Sequence, residues 1–264
     1  MLRSRIIPCL LIHQGGLVKT KGFKNPKYVG DPINAVRIFN EKNSDELIVL
    51  DIDASVHKRG PNFDLIKKLA SECCMPLYYG GGISTVEEAT RIVDMGVEKV
   101  AVSSTAIINP MILTELAEAI GRQSVVAVLD VRKKMGLFVN GYEVVTYNAT
   151  VTHKNDPILL AKQLQDAGAG EILINSVDRD GAMQGYDLEL ADQFKKVLSV
   201  PLTFLGGAGS LEDMKSLITN LGIVGAAAGS LFLFKGKYRA VLISYPTSTR
   251  KNQLCYDAQN YKGV

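Results

Sequence analysis

Tyr79-Gly80-Gly81-Gly82-Ile83-Ser84 and Leu205-Gly206-Gly207-Ala208-Gly209-Ser210 are two copies of one pattern, set about 125 residues apart. Each follows a short apolar run and leads into a stretch that reads as a helix start. The next apolar run in each half also ends in small residues with a hydroxyl, Val102-Ser103-Ser104 in the first and Ala228-Gly229-Ser230 in the second. Glu46-Leu47-Ile48-Val49-Leu50-Asp51 is echoed by Glu171-Ile172-Leu173-Ile174-Asn175-Ser176. A repeat of this length governs the reading of the fold, because each copy must build the same unit.

Working outward, eight short apolar runs alternate with longer amphipathic stretches, at 5–11, 46–51, 75–79, 99–103, 124–130, 171–175, 201–205 and 223–228. They are apolar throughout rather than alternating, as parallel strands buried on both faces should be. Asp31-Pro32, Asn109-Pro110 and Asp156-Pro157 each place a capping side chain before a proline at the first helical position. Ser84-Thr85-Val86-Glu87 and Ser210-Leu211-Glu212-Asp213 read as helix starts with acidic first turns, and Gly96, Gly121, Gly168 and Gly222 as helix ends. The expectation is an α/β fold, a (β/α)8 TIM barrel made of two repeated (β/α)4 halves. A doubly wound open sheet is the alternative, and the two-fold repeat favours closure. The chain of 264 residues is read as one domain, with half-repeats at about 1–122 and 123–245 and a tail at 246–264.

Three segments exceed a minimal loop, at 15–30, 54–61 and 131–155, and in a barrel the loops after strands form the catalytic face. The third contains a hairpin-like stretch, 137–145, with a type I′ turn signal at Asn140-Gly141. A net charge of only +3, without clustering, argues against a nucleic-acid surface. Cys9, Cys73, Cys74 and Cys255 have no metal-like spacing with His and read as reduced thiols. No apolar run is long enough to span a bilayer, and no signal peptide opens the chain. A soluble cytoplasmic protein without metal or organic cofactor is expected.

Glycines after a strand let backbone N–H groups approach an anion. Tight turns between strand and helix need glycine on steric grounds alone, so one such turn says little. Two turns at matching positions, each beside a strand end with a hydroxyl, say more. Gly81, Gly82, Ser103 and Ser104 are the candidate contacts of one phosphate, and Gly206, Gly207, Gly229 and Ser230 of a second. A small doubly phosphorylated ligand would fit such a pseudo-symmetric site.

Asp51, Asp130 and Asp180 stand at or just beyond strand ends, where a carboxylate can serve as general acid or base. Asp180, in Asp178-Arg179-Asp180-Gly181, reads equally well as a capped turn. The repeat exposes an asymmetry: the partner of Asp130 in the first half is Leu11. His13 and Lys19 are polar residues close by, although a lone His there reads as a loop residue.

These residues resemble the cyclase subunit of imidazole glycerol phosphate synthase over nearly the full length. The resemblance rests on Arg5-Ile6-Ile7-Pro8-Cys9-Leu10, Gly30-Asp31-Pro32, Gly80-Gly81-Gly82-Ile83, Gly168-Ala169-Gly170-Glu171-Ile172-Leu173, Asp178-Arg179-Asp180-Gly181 and Gly206-Gly207-Ala208-Gly209. It implies a glutaminase subunit docked at the barrel bottom, ammonia travelling up the barrel, and attack on a doubly phosphorylated ribulosyl substrate. It also implies a charged gate at the barrel bottom, matched here by Arg5, Glu46, Lys99 and Glu171. The family's two catalytic aspartates map to Leu11 and Asp130, while Lys19 and Asp180 are retained. Ser103-Ser104 stands for the family's usual Asn-Thr, and Leu205 for a small serine.

Leucine cannot transfer a proton, and losing such a group costs about a hundredfold to ten-thousandfold in rate. The chain is more similar still to a paralogous group, through Cys9-Leu10-Leu11, Val128-Leu129-Asp130 and Gly236-Lys237-Tyr238-Arg239-Ala240. That resemblance implies work beside a glutaminase and a third amidotransferase protein, supplying ammonia to turn an acetamido group of a surface-polysaccharide sugar into an acetamidino group. A true cyclase of histidine biosynthesis and a non-catalytic scaffold that activates the glutaminase are the competing expectations.

Overall fold

The computed structural model describes residues 3–134, 141–236 and 238–260. Eight parallel strands form the frame: β1 (Arg5–His13), β2 (Leu47–Asp51), β3 (Leu77–Gly80), β4 (Lys99–Val102), β5 (Val125–Lys133), β6 (Glu171–Ser176), β7 (Leu202–Leu205) and β8 (Gly225–Ala228). Each pairs with its neighbours, and β1 also pairs with β8 from Arg5↔Gly225 to Pro8↔Ala228, so the sheet closes. The halves join where β4 meets β5, from Val100↔Val125 to Val102↔Ala127, and again where β8 meets β1; within the second half, β5 and β6 pair in a register that sets Asn175 beside Asp130. The barrel expected from the repeat is therefore present, and the open sheet is excluded.

The unbroken apolar runs have a direct cause. Successive strand side chains point to opposite faces, and here both faces are buried. On β1, Ile7, Cys9 and Leu11 belong to the barrel interior, whereas Ile6, Leu10 and Ile12 pack in the layer between strands and helices. Interior partners include Ile48, Tyr78, Val126, Leu173 and Ala227, one from each of five other strands.

Most helix starts follow their sequence signals. Asp31 caps the helix Pro32–Glu41 by accepting from Asn34 N, and Asp156 caps Pro157–Asp166 by accepting from Ile158 N and Leu159 N. Thr85 with Glu88 and Ser210 with Asp213 form reciprocal capping boxes in the two halves. Asn109-Pro110 departs from expectation. That helix begins at Met111, its N-cap is Pro110, and no side chain caps it. Asn109 instead offers its backbone carbonyl to Ile112 N at 3.3 Å.

The long segment 15–30 is not a loop but two antiparallel strands, Gly16–Lys21 and Lys24–Gly30, hung on the end of β1. Its two-residue turns use Gln14 and Gly15, then Gly22 and Phe23, all four at positive φ, the geometry of I′ turns. After β5 the strands Tyr142–Thr146 and Val151–His153 add a second antiparallel extension. The second flank of the expected hairpin pairs with the end of β5, from Asp130↔Val145 to Lys133↔Tyr142, while its first flank and Asn140 lie outside the described residues. The helix Ser248–Asn260 packs on Leu211–Leu221 and buries Leu254, Cys255 and Ala258. Among the described residues no helix is long and apolar enough to cross a membrane. All four cysteines are free.

Candidate active site and barrel-bottom charge ring

The loops after the strands surround an open cavity at the barrel mouth. Asp130, Lys19, Asp180 and the eight residues of the two glycine–serine sets all line it. The repeat is visible atom by atom. A Cβ on Gly81 would lie 2.5 Å from Asp51 O, and one on Gly206 would lie 2.5 Å from Ser176 O, the equivalent atom of the second half. Both glycines also sit at positive φ, +125° and +97°. Any larger residue would push these turns off the strand ends.

Asp130 continues the inward stripe of Val126 and Val128, as its position in the run requires. Burial pushes its carboxyl up to about 7, against the hydrogen bond from Asn175 Nδ2 and with help from the negative charge of Asp180. That bond is 2.9 Å long. A carboxyl poised near neutrality is suited to exchanging protons. Leu11 holds the corresponding inward position on β1 and is 7% exposed.

Asp180 is tied to the hairpin that carries Lys19. Its Oδ2 accepts from Thr20 Oγ1 at 2.6 Å and from Phe23 N at 3.3 Å, and its carbonyl accepts from Gly22 N at 3.0 Å. Asp51 is occupied as a loop brace, accepting from Asp53 N and Ala54 N. His13 is more than a loop residue: its Nδ1 lies 2.7 Å from Asp53 Oδ1 at the barrel rim. Burial works against the Asp53 charge, but the Gln14 N–H and His13 outweigh it and hold the carboxyl below its ordinary value. Among the described residues no cluster of three or more His, Cys, Asp or Glu side chains is arranged to hold a metal ion.

At the opposite end, Arg5, Glu46, Lys99 and Glu171 form one connected ring. Arg5 bonds Glu46 Oε2 at 2.9 Å and Glu171 Oε1 at 3.0 Å, and Lys99 bonds Glu171 Oε2 at 2.7 Å. Burial would raise the Glu171 carboxyl, yet Arg5 and Lys99 pull it down to about 2. Burial prevails at Glu46, whose carboxyl is raised despite Arg5 and Lys99. Two cations and two carboxylates leave the ring neutral, which is the condition for burying it.

The ring has a fifth member that the sequence reading missed. Tyr78 on β3 is fully buried, and its hydroxyl accepts from Arg5 Nη1 at 2.8 Å and Lys99 Nζ at 2.5 Å. The same oxygen lies 2.7 Å from Glu46 Oε2 and 3.0 Å from Glu171 Oε2, and has one proton to give. Thr203 adds a donor to Glu171 Oε1 at 2.5 Å. Parity was the available signal: Tyr78, two before the mouth glycine Gly80, faces inward like Lys99 beside it. Tyr147 and Asn148 at the mouth were missed too. With Ala149 they are three successive non-glycine residues at positive φ, 53°, 55° and 62°. Such backbone persists only where its surroundings hold it, here through Asn148 Nδ2 donating to Ile52 O at 3.0 Å.

The chain matches the family described as histidine biosynthesis protein over residues 5–239. It is 55% identical over 256 residues to a protein of Leptospira interrogans provisionally named imidazole glycerol phosphate synthase subunit HisF, covering 97% of this chain and all of that one. A Pseudomonas aeruginosa protein, provisionally named subunit hisF2 of the same synthase, is 50% identical over 93% of this chain and 97% of its own. Imidazole glycerol phosphate synthase subunit HisF of Alkaliphilus metalliredigens is 37% identical over 88% of this chain and 91% of its own. The chain belongs to the histidine biosynthesis protein family, within its imidazole glycerol phosphate synthase HisF subunits.

Proposed function

We propose that this chain is the synthase-type subunit of a glutamine-dependent amidotransferase complex, taking ammonia from a glutaminase docked at the barrel bottom. The observation that carries the reading is the contrast between the two ends. The bottom ring keeps both cations and both carboxylates in contact. The mouth has one carboxyl poised near neutrality, Asp130, and an apolar side chain, Leu11, where its counterpart would stand. A mouth that retains the ammonia supply but has half the acid–base pair suits a changed acceptor. That acceptor is the acetamido group of a surface-glycan sugar, converted to acetamidino together with a third amidotransferase protein in the cytoplasm.

In this mechanism ammonia passes the ring as the neutral molecule. Ammonium would meet the like charges of Arg5 and Lys99 in the ring. At the mouth ammonia adds to the acetamido carbon, Asp130 takes the proton released as the C–N bond forms, and the C–O bond then breaks with the former carbonyl oxygen leaving as water, so that acetamido and ammonia give acetamidino and water. Lys19, Asp180 and the two glycine–serine sets hold phosphorylated ligand in place.

The second reading, a genuine cyclase acting on the doubly phosphorylated ribulosyl substrate, is favoured by one observation. His13, two residues beyond Leu11, is oriented by Asp53 and could supply the missing proton transfer. Purified chain with saturating ammonium and that substrate separates the two. Turnover to imidazole glycerol phosphate supports the cyclase. Ligand binding without turnover supports the diverged acceptor.

A further inference from the structure

The two ends of the mouth cavity are unequal in charge. Among the described residues Lys19 is the one lysine or arginine in the cavity wall, which otherwise holds Asp51, Asp130 and Asp180. Lys19 is 5% exposed, and among the described residues its ammonium has no hydrogen-bond or ion-pair partner. It lies against the second glycine–serine set: a Cβ on Gly229 would stand 2.1 Å from Lys19 Nζ and 2.7 Å from Cε. Glycine at 229 is what lets the ammonium reach that end.

A second cation approaches from outside the wall. Arg239 Nη2 lies 3.5 Å from Ser230 Oγ, at the outer limit of a hydrogen bond. Its guanidinium stacks over the Phe234 ring at 4.7 Å. A turn fixes its backbone, with Arg239 N donating to Gly236 O at 3.0 Å and φ at 50°. No carboxylate pairs with Arg239 among the described residues. Stacking on a buried ring limits the rotamers of the guanidinium, so less freedom is lost when it grips an anion. Among the described residues no lysine or arginine side chain lines the end formed by Gly81, Gly82, Ser103 and Ser104, where Arg59 presents its backbone carbonyl to Gly82.

We propose that Arg239 is a ligand-binding residue, converging with Lys19 on Gly229 and Ser230 to hold one phosphate monoester dianion. The opposite end has no cation in the cavity wall among the described residues and binds its phosphate more weakly. The cavity therefore takes its ligand by one end first. Two cations match a dianion, and the guanidinium adds two parallel donors of fixed geometry. This inference rests on reading the mouth as a phosphate cavity and adds an order and a residue to it.

Calorimetry and 31P NMR of the full chain, with inorganic phosphate and then with a doubly phosphorylated ketose, test it. Wild type should bind inorganic phosphate at one tight site. Arg239→Met, which keeps the stem over Phe234, should weaken that site about tenfold or more, and Arg239→Lys should recover part of the loss. Gly229→Ala, by displacing Lys19, should weaken it comparably. Ser103→Ala should change it less than about twofold, because no charge is lost there. Thermal midpoints of all four variants near that of wild type would show that folding is not the cause. Arg239→Met within twofold of wild type, or a larger loss from Ser103→Ala, would overturn the proposal. Wild type that binds neither probe would overturn the phosphate reading itself.

Discussion

The phenol oxygen of Tyr78 lies 3.0 Å from Oε2 of Glu171, although β3 and β6 are three strands apart around the barrel. The side chain therefore reaches across the interior and sets its hydroxyl among residues from four strand starts. One proton serves two carboxylates. Glu171 already has Arg5, Lys99 and Thr203 as donors, so the phenol proton goes to Glu46, the nearer acceptor at 2.7 Å. Tyr78→Phe keeps the ring volume and removes that proton and the acceptor for two cations. We expect a loss of about 1–3 kcal/mol in denaturant unfolding, the cost of leaving buried partners unmatched. A loss under about 0.5 kcal/mol would mean that the hydroxyl is incidental.

Glu46→Ala should break the ring on the side of Glu46 and leave Arg5 short of one carboxylate. In a complex with the glutaminase, glutamine hydrolysis should then outrun product formation, while ammonium-driven turnover persists. Parallel measurement of glutamate and product checks this, and unchanged coupling would remove Glu46 from the ammonia path.

Asp130 makes stability depend on pH with a definite sign. Its carboxyl stands at about 7 in the folded chain, against about 3.9 when unfolded. The folded state thus holds the proton more tightly, so stability is greatest below pH ~4 and declines as pH rises toward ~7. Asp130→Asn has no such term and still offers Asn175 an acceptor. Unfolding free energies at pH 4 and pH 8 should show the variant gaining on wild type by an amount on the order of 2–4 kcal/mol. At the same time, ammonia-dependent chemistry should be lost. A constant difference across this range would show that Asp130 is not buried as a titrating acid.

Leu11→Asp places a second carboxylate beside the lysine-bearing hairpin, since Leu11 pairs with Val18. If this position alone separates the chain from a cyclase, turnover with ammonium and the ribulosyl substrate should rise at least about a hundredfold above wild type. No rise would show that His13, Leu205 and the rest of the mouth have diverged as well.

Gly81→Ala should be costly because its Cβ would meet Asp51 O at 2.5 Å from a backbone already at φ +125°. A destabilisation of about 2–4 kcal/mol is expected, with loss of phosphate binding at that end. A thermal midpoint within ~2 °C of wild type would show that the turn can relax.

Much of this was legible along the chain because the signals are local. A strand buried on both faces must be apolar throughout, an Asp before a proline caps a helix, and two glycine turns at equal spacing demand equal units. From these follow the eight strands, the two halves and the mouth residues. The ring charges Arg5, Glu46, Lys99 and Glu171 were readable through the family resemblance, and their places at strand starts agreed with it. Barrel closure decided the rest. Tyr78 meets Glu171 across 93 residues of chain, and Asn175 meets Asp130 across 45. His13 found Asp53 because the end of β1 lies against that of β2, where Ile12 pairs with Asp51. The raised carboxyl of Asp130 depends on neighbours from beyond its own strand, Asn175 and Asp180 among them, and no window of sequence contains them. Composition and periodicity determine which way each side chain points; only the closed barrel determines what it meets there, because the partners come from strands far apart in the chain.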